Sequence, residues 1–236
     1  MPTPLFTAMD LEDLRKIIEN GTLPLDCSSN VIESGKLRDC NDILHSYTIT
    51  NGWNIVFSNK CDREWQAYFL KLFEFIEKQN YAEEKLGEIL SEIQTQDLHW
   101  DWFKKSVAYT TPEYEWFYLI ADNKPQGACL IYHPKDSITD ARKIFYIEYL
   151  AVAPWNRNNP MGARLFRGVG SILLKCALSY AVNTLGLEYG FSLHSLAQAK
   201  DYYKKIGMES YPARDKEHLF YFEMSRANST AMLGGT

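Results

Sequence analysis

Three consecutive segments near the middle of the chain, EWFYLIAD from Glu115, GACLIYHP from Gly127 and KIFYIEYLAVAP from Lys143 to Pro154, are dense in aromatic and aliphatic side chains. The first two are separated by DNKPQ, a turn composition, so they read as a β-hairpin. The third is a further strand stopped by Pro154, because proline lacks the N–H a strand ladder needs. Three strands in succession with no helix between them predict a meander at the centre of a sheet. That order excludes a regularly alternating parallel fold.

The flanks supply the helices. Asp10 to Asn20 reads as a short helix, with Asp10 as its N-cap, Leu11, Leu14, Ile17 and Ile18 at helical spacing and Gly21 as a stop. Residues 21 to 50 have no clear period, and residues 1–50 are expected to be an N-terminal extension or lid of the same globule. WNIVFS, Trp53 to Ser58, reads as a strand. Arg63 to Gln79 places Trp65, Phe69, Leu72, Phe73 and Ile76 on one helix face, and a second helix follows from Tyr81 to about Gln96. HWDWFKK is ambiguous between helix and strand. After the meander come the loop WNRNNPMGARLF, a helix through SILLKCALSYA, a strand GFSLHSL, a helix AQAKDYYKKIG closed by Gly207, and a last strand HLFYFEMS. The tail over 226–236 reads as flexible. The fold class expected is α/β in the α+β sense, a mixed and mainly antiparallel sheet flanked by helices, with 51–225 as the principal domain.

Composition restricts the partners. The net charge is −5, and no stretch concentrates the lysine and arginine that phosphate backbones demand, so nucleic acid is not expected as a partner. Five cysteines include no CxxC pair, and the N-terminus shows no charged-then-apolar leader. The expectation is a reduced, cytoplasmic protein. The apolar runs are too short for a membrane span, and the five histidines are scattered singly, without metal-ligand spacing.

Chemistry concentrates where the third strand hands over to a helix, in RLFRGVGSILL. A helix start leaves backbone N–H groups unpaired and carries partial positive charge, so it attracts anions. Gly168 and Gly170 let a bound group approach the backbone closely. The same glycines also suit an ordinary helix-start turn. The nucleotide P-loop is excluded, since no Lys-Ser/Thr pair follows the second glycine, and a dinucleotide fingerprint would need glycine where Leu173 stands.

Taken in order, KIFYIEYLAVAP, RGVGSILL and AQAKDYYKKIGM resemble the GNAT superfamily of N-acetyltransferases, in the manner of a poorly characterised bacterial branch. The likeness runs over roughly Trp53 to Ser225 and is most specific over Ile144 to Met208. The resemblance implies acetyl-CoA as cosubstrate. The family loop, Q/R-x-x-G-x-G/A, falls on Leu165 to Gly170, so Arg167, Gly168, Val169, Gly170 and Ser171 would cradle the pyrophosphate. Leu165 departs from the family's Gln or Arg, and the loop from Pro154 is longer than usual and could reshape the acceptor pocket. Leu150, Ala151 and Val152 correspond to the splayed strand end along which the pantetheine arm pairs, with the Val152 amide near the thioester carbonyl. An Asn common in the family is replaced by Leu196, and Ser195 or Gln198 can stand in for its contact.

Acetyl transfer to an amine requires that the ammonium lose a proton and that the departing thiolate gain one. Glu148, two residues before Leu150 and so expected on the same strand face, is the base this reading selects. Tyr203 falls where the family carries its frequent general acid. His194 is an alternative base, with a pKa near neutrality. Around the acceptor, Trp65, Tyr68, Phe69, Phe73, Trp100 and Trp102 would form an aromatic surround suited to an amine, although each also fits a core position. The function expected is acetyl-CoA-dependent N-acetylation of a primary amine on a small molecule. The alternatives are an acetyltransferase acting on protein or aminoacyl-tRNA, and a non-catalytic acyl-CoA-binding protein of the same fold. Exposed strand ends are compatible with a homodimer.

Overall fold

The computed structural model describes residues 10–21 and 29–234, and the strand pairs below are those among them. The meander is where the sequence places it: β3 (Tyr114–Ala121), β4 (Lys124–Asp136) and β5 (Lys143–Val152) run antiparallel. They form the middle of one eight-stranded sheet, in the order β1-β2-β3-β4-β5-β6-β8-β7. β6 (Phe191–Leu196) pairs parallel to β5, and every other pair is antiparallel. β7 (Glu209–Ser210) and β8 (Leu219–Met224) complete the far edge. The expected fold class, a mixed and mainly antiparallel sheet between helices, is the one observed.

Helices cover both faces. On one, α5 (Val169–Asn183) lays Val169, Leu173, Leu174, Ala177 and Leu178 on Phe117, Cys129, Ile131, Phe145 and Ile147 of the meander. On the other, α2 (Ile55–Lys78) and α4 (Trp102–Ala108) bring Cys61, Trp65 and Trp102 against Trp116, Tyr118 and Leu130. α3 (Glu83–Glu92) packs through Leu86 and Ile89 on the outer part of α2.

Three expectations for the flanks are corrected. WNIVFS is not a strand: Asn54 caps α2 by accepting from the Phe57 N–H at 3.0 Å, and the strand position is filled by β2 (Leu44–Asn51). Much of the supposed lid is sheet, since β1 (Asn30–Arg38) and β2 form a hairpin that pairs onto β3; the helix α1 (Leu11–Glu19) does form, capped by Asp10. Residues 1–9 and 22–28 of that extension lie outside the described residues. Nor is the C-terminus a loose tail, because Arg226–Gly234 forms α7, with Ser229 buried and Met232 and Leu233 packed against the α5 core.

The ambiguous HWDWFKK is helical for a reason distant in sequence. Asp62 on α2 accepts from the Trp102 and Phe103 N–H groups at 2.7 and 2.9 Å, and Asp101 accepts from Lys104 N–H at 2.7 Å. These carboxylates satisfy donors that a helix start leaves unpaired and oppose the positive end of its dipole.

Candidate active site

β5 and β6 pair only over Phe145–Ile147 and Phe191–Leu193, and beyond Ile147 they part. The separation begins at a β-bulge. Leu130 of β4 stands opposite Tyr149 while Ile131 stands opposite Ile147, so Glu148 is the extra residue. A bulge bends its strand and breaks the alternation of faces. Accordingly Phe145, Ile147, Leu150 and Val152 all meet the α5 side, whereas Tyr149 and Ala151 meet the α2 side. The expectation that Glu148 shares a face with Leu150 is therefore corrected.

Opposite the gap, α5 begins without a side-chain cap. Its start at Gly168 adopts φ 80°, a left-handed conformation that glycine tolerates, and the Gly168 carbonyl accepts the Ile172 N–H at 2.9 Å. The Gly168–Ser171 segment lines a cavity of about 370 Å³ together with Leu150, Ala151, Val152, Arg167, Gln198, Tyr202 and Tyr203. A methyl at Gly170 would stand 3.5 Å from Val152 Cγ1, between the helix start and the strand end. The glycines, the uncapped helix start and Arg167 suit a diphosphate.

The strand end presents donors to the same gap. Ala153 N–H bonds back to Gln126 on the β4 side at 2.8 Å. By the alternation of an extended strand, the Val152 N–H then points away from β4 and into the gap. The Val152 carbonyl is already engaged: Arg157 Nε and Nη2 donate to it at 2.9 and 2.7 Å. Arg157 also grips Asp97 through two bonds of 2.6 Å and donates to the Gln94 carbonyl at 3.0 Å. Both members of this ion pair are buried, at 6% and 9% side-chain exposure.

The long loop after Pro154 packs beside the start of α5. It walls the narrower cavity through Asn156, Arg157, Arg164 and Phe166. Buried Asn156 fixes it, accepting from Phe166 N–H at 2.9 Å and donating to the Gln126 side chain at 3.0 Å; Trp155 Nε1 donates to that same side chain at 2.7 Å. On β4, Gly127 lets the first turn of α5 settle on the sheet, since a Cβ there would lie 2.8–2.9 Å from Leu173 and Val169.

A second, wider cavity of about 850 Å³ lies beyond the splay, lined by His99, Trp100, Tyr146, Glu148, Tyr149, His194, Ser195 and Lys216 among others. The two cavities share Leu150, Leu196, Ala199 and Tyr203, so they meet at the point where the strands diverge. Glu148 is half-buried there, and desolvation lifts its pKa above the usual carboxylate value, with Lys216 and Lys135 opposing the rise. Tyr203, on α6 (Lys200–Lys205), is buried at the junction, and burial raises its pKa, which keeps the phenol protonated.

Other expected residues fall differently. Gln198 faces the narrower cavity, but Ser195 lines the wider one and donates to the Leu196 carbonyl at 2.8 Å. His194 has both ring nitrogens engaged, with Nδ1 2.6 Å from Tyr146 OH and Nε2 3.0 Å from the Arg214 carbonyl. A carbonyl only accepts, so Nε2 carries the proton and Nδ1 accepts from the phenol. Burial also holds the His194 pKa below its ordinary value, which together with these bonds makes it a poor free base. Of the expected aromatic surround, Trp100 alone lines the wider cavity; Trp65, Phe69 and Trp102 are core, Tyr68 stands edge-on to Trp155, and Phe73 stacks on Phe69. Residues the sequence reading passed over include Arg157 and Asn156; the hydroxyl of Tyr202 lies 3.0 Å from that of Ser171.

The fold and site together define a two-cavity protein built around a split pair of parallel strands, with an anion-ready helix start on one side. N-acetyltransferases are among the solved structures of similar fold. The PaiA N-acetyltransferase of Thermoplasma acidophilum, solved with coenzyme A, is 14% identical, with a TM-score of 0.43 over 75% of this chain and 98% of that one. FdhC, described as a nucleotide-linked sugar GNAT, is 12% identical at a TM-score of 0.43, over 84% and 93%. An uncharacterised protein of Bacillus halodurans is 10% identical at 0.48, over 87% and 99%. No family model and no curated protein matches the chain. At these identities the likeness is one of fold, and chemistry has to be argued from the residues of the site.

Proposed function

We propose that this protein is an acetyl-CoA-dependent N-acetyltransferase of the GNAT type, acting on a primary amine of a small molecule. The observation that carries this reading is the junction of the two cavities at Tyr203 and the Glu148 bulge, directly beside the uncapped start of α5. The cosubstrate would supply the activated acetyl thioester, with its diphosphate on the backbone of Gly168–Ser171 and Arg167, and its arm along Leu150, Ala151 and Val152. Gln198 lies beside that path; Ser195 belongs to the acceptor side.

The chain's own groups have distinct tasks. Glu148, whose raised pKa makes it a stronger base than an exposed carboxylate, takes the proton of the entering ammonium, directly or through a water. The Val152 N–H, held toward the gap, is placed to donate to negative charge building on a carbonyl oxygen. Tyr203 retains its proton until a leaving thiolate accepts it.

Calorimetry with acetyl-CoA, followed by thiol release over an amine panel, tests the proposal. Binding in the low micromolar range with release for at least one amine is expected. Failure of acetyl-CoA to bind would exclude it. In Tyr203→Phe, turnover falls by about tenfold or more while cosubstrate affinity stays near wild type. An unchanged turnover number removes Tyr203 from its role.

A further inference from the structure

Beside the narrower cavity lies another of about 270 Å³, between α3 and the loop that follows Pro154. Arg164 and Arg167 line both, so the two cavities meet at these side chains, just ahead of the α5 start. We propose that this loop cavity holds the 3′-phosphorylated ribose end of coenzyme A. Arg164 grips the 3′-phosphate, Arg167 stands between that group and the diphosphate, and the protein thereby selects coenzyme A over its 3′-dephospho form. The inference rests on the transferase reading for the presence of the cosubstrate, and it adds a site outside the glycine turn.

The chain is acidic, with net charge −5, yet the charged residues lining the narrower cavity are Asp97, Arg157, Arg164 and Arg167. Asp97 and Arg157 neutralise one another in a buried pair at 2.6 Å, which leaves the other two arginines in excess. Neither of these is held in an ion pair among the described residues. Arg164 is partly buried and donates through Nε to Asn158 Oδ1 at 2.7 Å, a bond that aims the guanidinium and leaves its two terminal nitrogens without a partner among the described residues. Such a fork matches two oxygens of a phosphate. Backbone amides at Gly168–Ser171 already suit the diphosphate, so an aimed arginine beyond them calls for a further anion, and coenzyme A carries one on its ribose. The carboxylate that lines the loop cavity, Glu92, is exposed, and solvent screens it. The loop presenting Arg164 is itself fixed: Asn159 and Gly162 form an antiparallel bridge, and Met161 N–H donates to Asn159 Oδ1 at 3.0 Å. An arginine held in place loses less freedom on binding than a mobile one. Ile89, Ile93 and Pro160 supply the apolar part of the cavity wall, which suits the face of a purine.

The test is calorimetry on the full chain with acetyl-CoA and with acetyl-3′-dephospho-CoA. Wild type should bind the dephospho ligand about tenfold more weakly, the scale of one charge-assisted contact. Arg164→Gln should weaken acetyl-CoA by about the same factor and leave the dephospho ligand nearly unchanged, a pattern that a general loss of structure would not produce. Arg164→Lys keeps the charge without the fork and should fall between the two. Equal affinity of wild type for the two ligands would overturn this inference and leave the transferase reading standing. So would equal weakening of both ligands by Arg164→Gln. Failure of acetyl-CoA to bind at all would instead overturn the transferase reading and this inference with it.

Discussion

Gly168 stands at φ 80° with open space where a Cβ would go, so the cost of a side chain there is conformational and not steric. Gly168→Ala should destabilise the protein by about 1–2 kcal/mol, read by denaturant unfolding, because an L-residue resists the left-handed region. If the proposed cosubstrate site is right, it should also weaken acetyl-CoA binding by turning the α5 amides out of register. Glu148 supports a prediction in pH. A base must be deprotonated, and burial has raised this one, so kcat/KM for an amine should fall as pH drops through a value above the usual carboxylate range. A rate that stays level across that interval would argue against Glu148. The sequence revealed the glycines and an anomalous carboxylate, but not the bulge at Glu148 beside the wider cavity. A bulge depends on which residue of β4 stands opposite, and one strand alone does not record that.

A brace holds the end of β5, and a histidine latch holds the β1–β2 turn. Arg157 ties the end of β5 to the segment carrying Gln94 and Asp97, and it satisfies the Val152 carbonyl exposed by the splay. Arg157→Ala leaves the Asp97 carboxylate and that carbonyl buried without a partner, so a loss of about 3–5 kcal/mol is expected in denaturant unfolding. Near the β1–β2 turn, His45 lies 3.2 Å from Asp39 and 2.9 Å from Asp122, and its ring stands edge-on to Phe166 at 5.2 Å, just ahead of the glycine turn that opens α5. Hydrogen bonds to Asp122 and then Asp39 raise the His45 pKa above its ordinary 6.5. The protonated ring is thus favoured in the folded state. Its stabilising contribution is complete below about pH 6.5 and is lost as pH rises through the raised value. The stability difference between wild type and His45→Gln should therefore shrink toward alkaline pH; a difference constant from pH 5 to 9 would exclude the latch.

At the scale of the molecule, the sheet joins segments from nearly the whole described chain, from β1 near residue 30 to β8 ending at Met224, and α7 seals the α5 side. Removing residues 226–236 uncovers core beneath Met232 and Leu233, and a fall in Tm of about 5 °C is expected from the apolar surface exposed. The meander, α5 and the succession of later elements were legible because hydrophobic period and turn residues act over short stretches. Gly127, which opens GACLIY, drew no expectation from the sequence; its role under α5 appears only where Leu173 and Val169 pack over it. The hairpin of β1 and β2 was hidden because its outer strand is largely exposed and two of its three less exposed positions carry Glu33 and Gly35 instead of an apolar side chain. The helical start of WNIVFS was hidden because one asparagine cap outweighed a run of strand-forming side chains. By itself the sequence determined which segments would be strands at the centre, where a helix would open on glycine, and which residues could carry acid–base chemistry. Only the tertiary structure decided that β5 and β6 part at Glu148, that Arg157 occupies the freed carbonyl, and that two cavities join at Tyr203. Those features arise from contacts between residues tens of positions apart, whose energies belong to the packed chain and to no local stretch of it.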